Sequence, residues 1–151
     1  MKYAIVAAAV FAGDFVVKEH IEKQRDGKEE TVICSNKVVV KKYHNTGAAF
    51  NFMEQRPGLV KGVCGAVLFA LAMLWCICSG KKGNPGMLLG LSLSIGGGAS
   101  NFYDRVKRGY VVDYFSFCTP FQKLNQVIFN ISDLCIFLGS LMVAVFGKKQ
   151  L

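Results

Sequence analysis

Four apolar runs, over residues 1–18, 57–79, 85–103 and 126–147, constrain the fold of this 151-residue chain more than any other feature. A soluble core spreads its apolar residues at helical or strand period, with polar faces between them. Here 52% of the residues are hydrophobic and they are gathered into blocks. At 1.5 Å per residue the last run measures about 33 Å, enough for a hydrocarbon core of about 30 Å. The first and third runs are shorter and would span with help from their flanks. The expected architecture is therefore a membrane all-α protein, one domain over 1–151. It has four transmembrane helices and a small β-rich surface segment, residues 22–52, between the first two.

The opening "MKYAIVAAAVFAGD" has the outline of a cleaved secretory signal: a basic start, an apolar stretch and an Ala-x-Ala. Its apolar character continues through "FVV", and Asp14 and Lys18 stand four residues apart on one helix face, so the first run is read as a retained helix. The formal charge of +8 does not point to nucleic acid, because the basic residues are not grouped as a binding patch. Lys2, Lys81, Lys82, Lys148 and Lys149 flank the runs and, with four spans, share one membrane face. The positive-inside rule would make that face cytoplasmic, yet segments 19–56 and 103–125 on the other face carry more Lys and Arg in total. Charge alone leaves the orientation open.

The connections differ in kind. "GKKGNP" at 80–85 is a tight turn, punctuated by Gly and Pro. "TVIC" and "KVVVKKYH", separated by "SN", are strand-like and predict a small sheet or hairpin at the membrane surface. Segment 103–125 leaves the third run with charges and turns apolar again at "YVVDYFSF", after Gly109 lets the chain double back. Four of the six cysteines fall within the runs, and Cys76-x-Cys78 has no further ligand at metal spacing, so no metal site is expected. Cys34 and Cys118 lie on the loop face, either paired or free. His20 and His44 are isolated and expected to be solvated. Gly86, Gly90, Ser94 and Gly98 recur every fourth residue, the small-residue stripe that lets helix backbones approach in lipid.

The acids carry the chemistry. Asp133 lies in the last run, seven residues from its start and about 10 Å along it, with Asn130 one turn earlier. Asp113, in "GYVVDYF", would reach similar depth on a short re-entrant or interfacial segment, tolerated only where protein or a water cavity receives it. At the end of the third run Asn101, Asp104 and Arg105 cluster within a turn. Two buried carboxyls without metal ligands suggest a pair that shares a proton, one member taking a proton from water while the other donates. The plainer alternative pairs each acid with a cation, Lys18 or Arg105, for structure alone.

"GDFVVK" at 13–18, "NTGAAF" at 45–50, "GGASNFYDR" at 97–105, "GYVVDYF" at 109–115 and "FNISD" at 129–133 together resemble the successive motifs of lipoprotein signal peptidase, signal peptidase II, the bacterial intramembrane aspartic peptidase. The resemblance implies a catalytic dyad of Asp113 and Asp133, and a substrate site lined by Asn45, Asn101, Arg105 and Asn130. Arg105 would hold a backbone carbonyl of the extended substrate, with Asp14, Lys18 and Asp104 in support and no cofactor. It further implies cleavage before the diacylglyceryl-modified cysteine of prolipoproteins, and contact with membrane lipid. Cyclic-peptide inhibitors of the globomycin type would bind, and the enzyme would be a monomer. Both termini would be cytoplasmic, in a multi-pass protein of the cell membrane with its active site near the outer face.

The chain departs from the family pattern at Phe15, where Gln is usual, at Ser100 for Gly, at Tyr114 for Phe and at Ser132 for Ala. None of these removes a carboxylate or an amide of the site. Two other readings compete: a small proton- or ion-coupled transporter, which usually shows a repeated half, and a non-catalytic lipoprotein-binding relative, which needs a broken dyad. No repeat is visible and both aspartates are present.

Overall fold

The computed structural model describes residues 2–27, 29–47, 55–80 and 84–147. Helix α1 (Lys2–Gln24) leads into a hairpin of β1 (Thr31–Ile33) and β2 (Val38–Asn45). Helices α2 (Pro57–Ser79) and α3 (Pro85–Lys107) follow, then strand β3 (Val111–Phe117), a single turn α4 (Gln122–Asn125) and α5 (Ile131–Gly147). Lys81, Lys82, Lys148 and Lys149, and the Ala48–Phe50 end of "NTGAAF", lie outside the described residues.

Helix α3 is the common neighbour of α1, α2 and α5. Asn84 caps it, its side chain accepting from Gly86 N at 2.9 Å, and Pro85 occupies the first position, where no N–H is missed. A Cβ on Gly90 would stand 2.7 Å from the Gly139 carbonyl of α5, and one on Gly97 would stand 2.6 Å from that of Ser132. The small stripe therefore continues from Gly90 to Gly97 against α5. Gly98, expected on the stripe, faces α2, where Leu68 alone comes within reach.

Two expectations are corrected. First, the sheet is not confined to 22–52. α1 runs on to Gln24, and the third strand is β3, from the far side of α3, in antiparallel order β1-β2-β3. The segment expected to be re-entrant or interfacial is a strand from Val111 on, because β2 offers it a hydrogen-bonding edge, irregular between Val40 and Tyr43, with Tyr43 opposite Asp113. Gly109, at φ 87°, makes the reversal that feeds it in. Second, α5 begins at Ile131, not 126, so Asp133 sits in its first turn and not deep in a span. Of the four expected spans, Pro57–Ser79 alone among the described helices is both long and apolar enough to cross a bilayer by length and composition. The 17 residues of α5 are apolar but shorter, and α1 carries Asp14 and Lys18 within its length.

The burial pattern is inverted relative to a soluble protein. Asp14, Lys18, Ser92, Asp104, Asp113, Asn130 and Ser132 are buried, while Phe69, Met73 and Ile77 of α2 and Phe137, Leu138 and Leu141 of α5 are exposed. His44, expected to be merely solvated, stacks on Tyr110 at 3.9 Å between centroids and lies 2.9 Å from Glu22 Oε2. Cys34 and Cys118 are exposed and unpaired.

Candidate active site

Asp113 is delivered by a strand held on both edges. β2 pairs with one side of β3; on the other, Phe129 accepts from Tyr114 N and Phe115 N at 2.9 and 3.0 Å, and Phe129 N donates back to the Phe115 carbonyl. The segment leading into α5 is thereby laid alongside β3, and Asn130 follows at once. Asn130 caps α5 reciprocally: its Oδ1 accepts from Asp133 N at 2.9 Å, and its own N donates to Asp133 Oδ2 at 3.0 Å. This capping box satisfies amides that the helix itself cannot, and it explains why the apolar run 126–130 does not join the helix. With its remaining group, Nδ2, Asn130 donates to Asp113 Oδ1 at 2.6 Å. One asparagine thus links both aspartates.

The other two carboxylate oxygens are also held by amides. Asn45 Nδ2 donates to Asp113 Oδ2 at 3.0 Å, and Asn101 Nδ2 to Asp133 Oδ1 at 2.9 Å. Each amide is pinned at its own oxygen, Asn45 by Gly47 N and Asn101 by Lys18 Nζ, so the NH2 faces the acid in both cases. Burial, with the charge of Asp133 adding to it, pushes the Asp113 carboxyl up to about 7. The amide donors of Asn45 and Asn130 oppose that rise without cancelling it.

Among the described residues no salt bridge joins a cation to either acid. Lys18 instead joins Asp14 at 2.8 Å and Asp104 at 3.2 Å. Asp104 Oδ2 also accepts from Val112 N, next to Asp113, and its Oδ1 from Arg108 Nε, so it steadies β3. Arg105 donates through Nη2 to the Gly47 carbonyl, and its buried Nε has no partner among the described residues. Asn101, Asp104 and Arg105, neighbours in sequence, therefore serve three different directions.

Sequence reasoning missed what Asp14 does. It is fully buried and accepts from Ser100, Ser132 and Tyr114, three of the four positions where the chain departs from the family pattern. No spacing rule could have joined them, since they lie on three separate elements.

Asp113, Asp133, Asn45, Asn101 and Arg105 line one end of a cavity of about 580 Å³. Its other walls are mainly apolar, with Val63, Val67, Leu68 and Leu71 of α2 and Ile136 and Phe137 of α5, and include Ser94 and Ser140. No cluster of His, Cys, Asp and Glu able to hold a metal occurs among the described residues.

Two solved bacterial membrane enzymes share the fold, with TM-scores of 0.87 and 0.83 over 98% and 95% of this chain, 88% and 90% of theirs, at 24% identity each. The lipoprotein signal peptidase of Brevibacillus brevis is 31% identical over 99% of both chains. That of Streptococcus pneumoniae is 28% identical over 97% of this chain and 92% of its own. The family model for signal peptidase (SPase) II matches residues 6–147, which takes in both aspartates, every amide that holds them, and the helix that carries Asp14 and Lys18. The chain belongs to the signal peptidase II family.

Proposed function

We propose that Asp113 and Asp133 are the catalytic pair with which this aspartic signal peptidase removes signal peptides from prolipoproteins. The observation that carries the assignment is the pair itself. Two buried carboxyls, free of cations and metal ligands among the described residues, are held by amide donors at the wall of an apolar cavity. In the working state one carboxyl is ionised and the other protonated. The ionised member takes a proton from water as the water oxygen bonds to the scissile carbonyl carbon. The protonated member donates toward the carbonyl oxygen, and a proton then passes to the leaving nitrogen as the C–N bond breaks. Asn45, Asn101 and Asn130 hold the carboxyls in place, and Arg105 Nε supplies a donor for a substrate carbonyl.

The substrate is the diacylglyceryl-modified prolipoprotein, cut before its lipidated cysteine. The apolar walls of the cavity fit acyl chains, and its polar end fits an extended peptide. Every group of the site comes from one chain, which suits a monomer. The chain acts as one membrane domain with four spans, α1, α2, α3 and α5. The outward Phe69, Met73, Ile77, Phe137, Leu138 and Leu141 suit lipid, and the inward Asp14 and Lys18 pair with each other rather than facing it. Both termini are cytoplasmic, with the sheet and the dyad at the outer face. An impermeant maleimide added to spheroplasts is expected to label Cys34 and Cys118, both exposed, and to lose that signal in a variant with both changed to Ser. Labelling only after the membrane is opened would reverse the orientation.

The pair also sets the pH dependence. Raising pH through about 7 strips the shared proton, so kcat is expected to fall on the alkaline side, and it falls again at acid pH when both carboxyls are protonated. A pH–rate profile of the purified enzyme should be a bell whose two apparent values belong to the pair. A profile flat from about pH 5 to about pH 9 would remove the shared-proton mechanism.

A further inference from the structure

Among the described residues no hydrogen bond joins Asp14 to the dyad, yet its partners are the chain neighbours of the groups that build it. Tyr114 follows Asp113, Ser132 precedes Asp133, and Ser100 precedes Asn101. The Tyr114 hydroxyl donates to Asp14 Oδ1 at 2.8 Å; Ser132 Oγ and Ser100 Oγ donate to Asp14 Oδ2 at 2.6 and 2.7 Å. Lys18 Nζ reaches the same Oδ2 at 2.8 Å and extends the network to Asn101 Oδ1 at 2.7 Å, which aims the Asn101 NH2 at Asp133. One carboxylate with 0% exposure thus gathers β3, α3 and α5 onto α1.

Tyr114 has a second attachment. Its hydroxyl oxygen accepts from Ile131 N at 3.0 Å, the first amide of α5 and one of the donors a helix cannot satisfy internally. Because successive side chains of a strand point to opposite faces, Tyr114 is free to bind this network while Asp113 faces the cavity. Burial, with the Asp14 charge adding to it, pushes the Tyr114 phenol up, so it stays a donor.

We propose that Tyr114, Ser132 and Ser100 are positioning residues, clamped by Asp14, that set the separation and orientation of Asp113 and Asp133. This rests on the dyad reading above. None of Asp14, Ser100, Tyr114 and Ser132 lines the cavity. Loosening it leaves substrate binding intact while spoiling the near-attack geometry, where a displacement of about 1 Å costs about a hundredfold. A looser pair also repels less, which draws its two apparent titrations together and narrows the pH bell.

The test compares purified full-length wild type with Tyr114→Phe, Ser132→Ala, their double variant, Asp113→Asn and Ser92→Ala. Each is assayed with a lipidated prolipoprotein for kcat, KM and pH profile, normalised to folded protein. Ser92→Ala is the control: it removes the part-buried Trp75 Nε1–Ser92 Oγ bond from the same helix as Ser100, at a residue that does not line the cavity. Tyr114→Phe is expected to lower kcat about tenfold or more, with KM within about twofold of wild type and a narrower bell. Ser132→Ala should act in the same direction and reports on the clamp should Tyr114→Phe not fold. Their double variant should lose less than the product of the single losses, since both act through Asp14. Ser92→Ala should lower thermal stability alone. The clamp is refuted by a Tyr114→Phe or Ser132→Ala enzyme with wild-type kcat and bell, or one matching Ser92→Ala, while Asp113→Asn is inactive. An active Asp113→Asn would instead refute the dyad.

Discussion

A prolipoprotein precursor lacking the diacylglyceryl group is expected to be cut at least about a hundredfold more slowly than the lipidated one, read as kcat/KM. Transfer of acyl chains out of water is not the main cause, since lipid tails are already as apolar as the cavity wall. The chains act by position. In the proposed function, chains lying between α2 and α5, against the cavity residues Val63, Val67, Leu71 and Phe137, would fix the depth of the modified cysteine relative to Asp113 and Asp133. A signal peptide without them has the same helix but slides along the membrane normal, and the scissile carbonyl spends little time within reach of the pair. Matched rates for the two precursors, in the same detergent or vesicles, would make the chain a general membrane peptidase.

Asp113→Asn and Asp133→Asn are each expected to abolish measurable turnover while leaving the protein folded. An amide can neither take a proton from water nor return one, and groups that act as a unit lose nearly everything when one is removed. Stability follows a different sum. The rise of Asp113 to about 7 means that its ionised form costs about 4 kcal/mol relative to an exposed carboxyl. With a folded value above the unfolded one, that cost grows as pH rises from about 4 to about 7 and is complete above it. The amide of the Asp113→Asn variant carries no charge and escapes it. Against this, the pinned NH2 groups of Asn45 and Asn130 both point at position 113, and the new NH2 would face one of them. An unpaired buried donor costs about 1–3 kcal/mol. The two effects oppose, so Asp113→Asn should melt within a few degrees of wild type at about pH 8. Relative to wild type it should be less stable at about pH 4, where the carboxyl is protonated and the cost that the substitution removes is absent.

Much of this site was legible because its chemistry sits in short motifs: the two aspartates, Asn130 three residues before Asp133, and the i,i+4 pair of Asp14 and Lys18. The β1–β2 hairpin was legible too, from β-branched runs split by a turn in which Cys34, Ser35 and Asn36 take positive φ. What stayed hidden depends on contacts between distant segments. The strand character of 111–117 needs the edge of β2, which lies on the other side of α2 and α3 in the sequence. The start of α5 was misplaced because hydropathy reads "QVIF" as span, whereas the boundary is made by hydrogen bonds at Asn130. The bond from Arg105 Nη2 to the Gly47 carbonyl likewise joins segments far apart in sequence. Ser100, Tyr114 and Ser132 stood out as departures in sequence, but only the fold brings them to one carboxylate.

The most direct measurement is a single cleavage series read by mass spectrometry of the released signal peptide. Purified wild type, Asp113→Asn, Asp133→Asn and the double variant are incubated with one lipidated prolipoprotein at the pH optimum. The expected result is a wild-type cut immediately before the lipidated cysteine. Each single variant should be indistinguishable from the double variant and from the enzyme-free control. A single variant that releases the same peptide at a rate near wild type would contradict the assignment of these two carboxyls as the catalytic pair.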